Sequence, residues 1–105
     1  MNGRSQSQPP QPAPAAGVAP YRSTPVFDAV TLPAALRSEH RLKAETWGLI
    51  HVLEGEVRLT WRDPHMTTVL KPGTPGRIGP QQGHFVEPLG PMKMRIDFYD
   101  RPPDG

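Results

Sequence analysis

The sequence contains no cysteine. Disulfides, thiolate nucleophiles and zinc–thiolate centres are therefore excluded, and any metal would have to sit on His, Asp or Glu. Long hydrophobic runs are also missing. No window approaches the roughly 18 apolar residues of a membrane span, and the N-terminal stretch lacks the continuous apolar core of a signal peptide. Neither sign of charge dominates: 12 basic and 10 acidic residues are scattered singly, so the formal charge of +2 describes no basic patch. These absences lead to the expectation of a soluble, cytoplasmic protein with neither a membrane nor a nucleic acid as partner.

Proline and glycine, by contrast, are plentiful, at 15 and 10 residues. Five of the prolines fall in the first twenty positions, "MNGRSQSQPPQPAPAAGVAP", beside three glutamines and almost no bulky apolar side chain. Such a segment cannot bury enough surface to offset the entropy of ordering, and residues 1–20 are expected to form a disordered tail. A chain of 105 residues is near the size of one domain, which places that domain at 21–102. A body of about 80 residues buries only roughly 60–65% of its unfolded-chain surface. A homodimer would supplement so small a core.

The body reads as short strands separated by glycine and proline corners. In "TLPAALRSEH" (31–40), Leu32, Ala35 and Leu36 have helical spacing behind Thr31 as a cap, with Pro33 in the first turn, so one short helical turn is expected. From Trp47 the period becomes two. Trp47, Leu49, His51 and Leu53 share one face of a strand, and Gly48, Ile50 and Val52 share the other. Glu54–Gly55 makes a corner, after which Val57, Leu59 and Trp61 alternate with polar residues, as a strand with one wet face should. "RDPH" (62–65) is a turn, "MTTVLK" (66–71) a returning strand and "PGTPG" (72–76) a second corner. "HFVEP" (84–88) and "MKMRIDFY" (92–99) alternate again, the latter turning Met92, Met94, Ile96 and Phe98 inward as core. The pattern predicts an all-β sandwich or barrel.

"IHVLEGEVRLTW" followed by "LKPGTPGRIGPQQGHFVEP" resembles a cupin: a strand ending in V-L-x-G, a P-G corner, then a proline-led approach to a histidine. Over essentially all of 20–100 the chain is similar to the small TehB/YeaR-like cupin family, with its RmlC-like jelly roll. The resemblance implies a cupin-like double-stranded β-helix, that is, a jelly-roll barrel. It also implies an undefined biochemistry with a suspected role in stress or metalloid (tellurite) response. Relatives occur alone or joined to tellurite-resistance methyltransferases, but this sequence has no Gly-rich nucleotide fingerprint, so methylation is not carried over.

A cupin metal site takes two histidines and a glutamate from the first motif and one histidine from the second. Here Gly48 stands about where the glutamate belongs, and Arg41, Leu42, Lys43 and Ala44 replace the H-x-H pair. His84 keeps the second-motif position, and His40 lies in "EHRLKAETW". Imidazole suits Zn, Fe, Ni or Cu, and two histidines with a carboxylate form a facial triad that leaves positions open for a substrate, so His40 and His84 are the leading ligands for a divalent metal such as Zn, Fe, Ni or Mn. Glu87 or His51 would complete the set. Glu87, three residues from His84, faces away on a straight strand and needs a bulge, or the bend before Pro88, to join it. His51 is a ligand only if its face of the strand is inward, and otherwise a core histidine. His65, in the "DPH" turn, is expected at the surface.

Lys43 could pair with Glu45 or Glu87, or hold an anionic ligand. Trp47 and Phe98 would form the apolar wall of a ligand pocket. Three functions remain open: a metal-binding cupin-like domain, a metal-free module that binds or senses a small anion or other small molecule, and a structural domain that docks a partner. A catalytic ion would polarise a bound molecule or activate water or dioxygen, but the residues do not decide whether there is turnover.

Overall fold

The computed structural model describes residues 19–103. The expected tail at 1–20 falls almost entirely outside these, while Ala19 and Pro20 are exposed and carry no regular structure. Eight strands follow: β1 (Arg22–Ser23), β2 (Phe27–Asp28), β3 (Trp47–Glu54), β4 (Val57–Arg62), β5 (His65–Leu70), β6 (Gly76–Ile78), β7 (His84–Pro88) and β8 (Lys93–Tyr99). All pairings are antiparallel. One sheet runs in the order β1, β8, β3, β6, with β2 also pairing with β8; the other is β5, β4, β7.

From β3 onward the chain crosses between sheets at each corner except the β4–β5 hairpin, which gives the two-layered, cupin-like jelly roll. Backbone freedom decides the first crossing. Gly55 has φ +73°, and a Cβ there would stand 2.2 Å from the Pro91 carbonyl oxygen, so a residue without a side chain is required. Just before it, the β3–β8 register shifts between Val52 and Glu54, a bulge of the kind that bends a strand out of its sheet.

The core lies between the sheets. Ile50 and Val52 meet Val57, Leu59, Leu70, Ile78, Val86, Met94 and Ile96, all buried, and each contributes roughly 1.5–3 kcal/mol relative to exposure. The inward face of β3 is therefore Gly48, Ile50 and Val52, in register with Phe98, Ile96 and Met94. Trp47, Leu49 and His51 lie on the outer face, opposite Tyr99, Asp97 and Arg95.

The short helical turn at 31–40 is a 3₁₀ turn over Ala34–Arg37, preceded by Pro33 and without a side-chain cap. Thr31 does not cap it. Its backbone N–H and hydroxyl bond instead to Asp28, whose carboxylate closes an Asx-type turn (Thr31 N to Asp28 Oδ1, 2.8 Å). Arg37 holds the turn by donating to the carbonyls of Ala29 and Leu32. Among the described residues no helix is long and apolar enough to cross a membrane.

Candidate functional site

His40 and His84, far apart in sequence, are joined by the main chain. The N–H of each donates to the carbonyl of the other at 3.0 Å, an isolated antiparallel bridge at the start of β7, on the edge that β4 does not occupy. Their rings consequently lie 4.0 Å apart, tilted by 56°. Both line a cavity of about 60 Å³ with Leu36, Leu42, Gly48, Ile50, Ile78, Ile96 and Phe98. His84 is only 3% exposed, whereas His40 is half-buried at the solvent side.

Main-chain carbonyls fix the orientation of both rings. The Gln82 carbonyl accepts from Nδ1 of His84 at 2.8 Å, and the Ser38 carbonyl accepts from Nδ1 of His40 at 3.0 Å. A carbonyl can only accept, so Nδ1 carries the proton and Nε2 keeps its lone pair in each ring. Among the described residues neither Nε2 has a protein partner, which leaves the buried Nε2 of His84 an orphaned acceptor. Burial pushes the His84 imidazole down to about 4, helped by the neighbouring His40 and opposed by the bond to Gln82. His84 is therefore neutral at physiological pH, as a metal ligand must be.

The approach to His84 is tightly built. Gln81 has φ +58°, its N–H donates to the Leu42 carbonyl (3.0 Å) and its own carbonyl accepts from Arg41 (2.7 Å). The Gln82 side chain accepts from Gly79 N (2.9 Å). A Cβ at Gly83 would lie 2.7 Å from Glu39 Oε2.

The other candidate ligands stand elsewhere. β7 keeps an unbroken register with β4 from His84 to Pro88, so no bulge turns Glu87 inward; it lies on the outer face and pairs with Arg58 at 3.4 Å. His51 is on the outer face of the larger sheet, its Nε2 3.1 Å from Asp97 Oδ2. Burial and Arg95 lower the His51 pKa, against Asp97. Asp97 is itself buried, which favours its neutral form, yet bonds from Ser23 (2.7 Å) and Arg95 hold its carboxyl below the usual value. Among the described residues no three His, Cys, Asp or Glu side chains gather to hold an ion.

Of the expected pocket residues, Phe98 lines the cavity and stacks under the Arg22 guanidinium, 4.8 Å from the ring centroid. Trp47 faces outward beside Pro102 and Pro103. Lys43 is exposed on the turn before β3 and does not line the cavity. His65 opens β5 and is exposed. Sequence reasoning missed the carbonyls of Ser38 and Gln82, which no side-chain pattern reports, and the part played by Gly48. Gly48 did carry a signal: a glycine inside a strand marks close approach, and a Cβ here would meet Leu42 Cδ1 at 3.1 Å inside the cavity.

The family model for the TehB-like domain matches residues 22–96. A comparison with curated proteins by sequence finds no match. Among solved structures, TehB from Haemophilus influenzae is similar at 25% identity and TM-score 0.71, over 78% of this chain and 31% of that one. The chain thus spans about a third of the Haemophilus protein. A protein from E. coli strain K12 aligns at 22% identity and TM-score 0.74, over 88% and 99% of the two chains. Hydroxypropylphosphonic acid epoxidase from S. wedmorenis shares the fold at 19% identity and TM-score 0.53, over 70% and 40%. Solved structures of the same fold include FeII HppE and CoII HppE.

Proposed function

The chain belongs to the TehB-like domain family, and from that membership and the paired imidazoles we propose a small cupin-like domain that binds one divalent metal ion through His40 and His84. The observation that carries this reading is the orphaned Nε2 of buried His84, beside a second ring oriented in the same way by a main-chain carbonyl. Carbonyls that fix the tautomer of a ligating histidine are the usual outer support of such sites. Two imidazoles bonded to one ion at about 2 Å hold their ring centroids roughly 4.5–5 Å apart at right to tetrahedral angles, so the two rings, 4.0 Å apart here, would part slightly to take the ion.

The donor set limits what the ion could do. Two nitrogens leave positions for water or a small exogenous ligand, and Zn, Fe and Ni fit imidazole donors, with Mn the weaker case. A cavity of about 60 Å³ has room for a water or two, far below the roughly 300–1,000 Å³ of sites for organic substrates. The reading is therefore capture or sensing of a small inorganic species, in the stress or metalloid (tellurite) response that family membership suggests.

The test is metal content. Untagged protein reconstituted with Zn, Fe(II), Ni or Mn is expected to retain about one ion per chain by elemental analysis, and His40→Ala and His84→Asn each to lose it while keeping the β-sheet circular dichroism spectrum. Wild-type protein that stays empty with all four metals overturns the reading. Stabilisation by a small anion that a chelator does not reverse would then favour the metal-free module.

A further inference from the structure

Across β4 from the strand that carries His84, the two sheets do not close. β5 is the edge of the smaller sheet and β6 of the larger, and among the described residues nothing pairs with the far edge of β5. The seam between them is a groove of about 610 Å³ lined by Leu49, Trp61, Met66, Leu70 and Pro75 among others. Trp61 Nε1 donates across it to the Arg77 carbonyl at 3.0 Å.

The edge is unguarded. β5 has six residues, "HMTTVL", in unbroken register with β4. It contains no proline, no bulge and no lysine, the devices by which proteins keep an edge from pairing. Met66 is 52% exposed and Val69 41%.

We propose that this edge pairs with itself, joining two copies of the chain through antiparallel β5 strands about a two-fold axis at Thr67. The charges select the register. The nearest ones flanking the strand are Asp63 on one side and Lys71 on the other, both exposed, and they lie at equal distances in sequence from Thr67. A two-fold pairing of Thr67 with Thr67 of the partner subunit places each Asp63 beside Lys71 of the partner subunit. Met66 then lies opposite Thr68 of the partner subunit, and Val69 opposite His65 of the partner subunit. The contact is isologous and closes at two copies. It merges two three-stranded sheets into one of six and brings the two apolar seams to either side of the junction, supplementing a body too small to bury much surface alone.

The experiment is the mass of the full chain in solution, by light scattering and sedimentation over a range of concentrations. Wild type is expected at twice the 11.6 kDa of the chain. Thr67→Lys sets two like charges opposite each other and is expected to give the monomer mass, with a circular dichroism spectrum like that of wild type. An equimolar mixture of Thr67→Lys and Thr67→Glu is expected to recover the dimer. Asp63→Lys alone should weaken association about tenfold, and the double exchange Asp63→Lys/Lys71→Asp should restore it, which tests the register without touching the strand. A wild type that is monomeric throughout overturns the proposal. So does a dimer indifferent to Thr67→Lys, which would place the contact on another face.

Discussion

Acidification should destabilise this protein through His84, and replacing that residue by Asn should remove the effect. Asn cannot titrate in this range and has no counterpart of Nε2, but its amide can still donate to the Gln82 carbonyl that Nδ1 of the histidine reaches at 2.8 Å. In the folded chain the imidazole titrates near 4 instead of 6.5. The unfolded chain therefore takes up a proton at a pH where the folded one does not. The stability tied to this group is complete above pH 6.5, is lost as pH falls toward 4, and changes no further below that. A drop from 6.5 to about 4 corresponds to about 3 kcal/mol, a large part of the 5–15 kcal/mol that holds a typical domain together. Urea unfolding followed by tryptophan fluorescence, in steps between pH 7 and pH 4, measures it. Because the His51 pKa is also lowered, His51 acts in the same direction in both proteins, and the diagnostic quantity is wild type minus His84→Asn. That difference should shrink on acidification by about 3 kcal/mol. Parallel pH profiles would show that the ring is not buried against the cavity and would undo the argument for an orphaned Nε2.

The remaining expectations are simpler. Gly48→Ala places a methyl 3.1 Å from Leu42 Cδ1 and 3.6 Å from Ile78 Cβ; titration calorimetry should show weaker metal binding, with urea stability within about 1 kcal/mol of wild type. Unchanged affinity would detach the cavity from the ion. Gly55→Ala has no such latitude, because φ is +73° and the Pro91 carbonyl oxygen lies 2.2 Å from the new atom, so thermal melting should report a loss of about 3 kcal/mol. His51→Ala removes one of three side chains that partner the buried carboxylate of Asp97 and should cost about 1–2 kcal/mol with metal content unaltered. Loss of metal in that variant would bring His51 into the site after all.

Much of the architecture was legible in the chain because it rests on local rules. Alternation marked β3, β4, β7 and β8, the proline and glycine corners marked their ends, and Gly55 marked the first crossing between sheets through a backbone angle that only glycine adopts readily. Alternation could not say which side of β3 faces inward, since both faces are apolar. That depends on what lies across the barrel: Ile50 and Val52 meet the opposite sheet, and His51 is turned out to Asp97. Thr31 illustrates a similar limit: a threonine ahead of a helical turn reads as its cap, but the nearby Asp28 carboxylate takes its hydroxyl instead.

The sequence by itself determined the all-β class, the family pattern and the absence of any thiolate ligand, because composition and period act on each residue where it stands. Only the tertiary structure decided which histidines meet. His40 and His84 are brought together by two hydrogen bonds between distant stretches of backbone, and their ring tautomers are set by the carbonyls of Ser38 and Gln82. Every residue has a backbone N–H or carbonyl to offer, so no residue type in the sequence marks where such bonds will form.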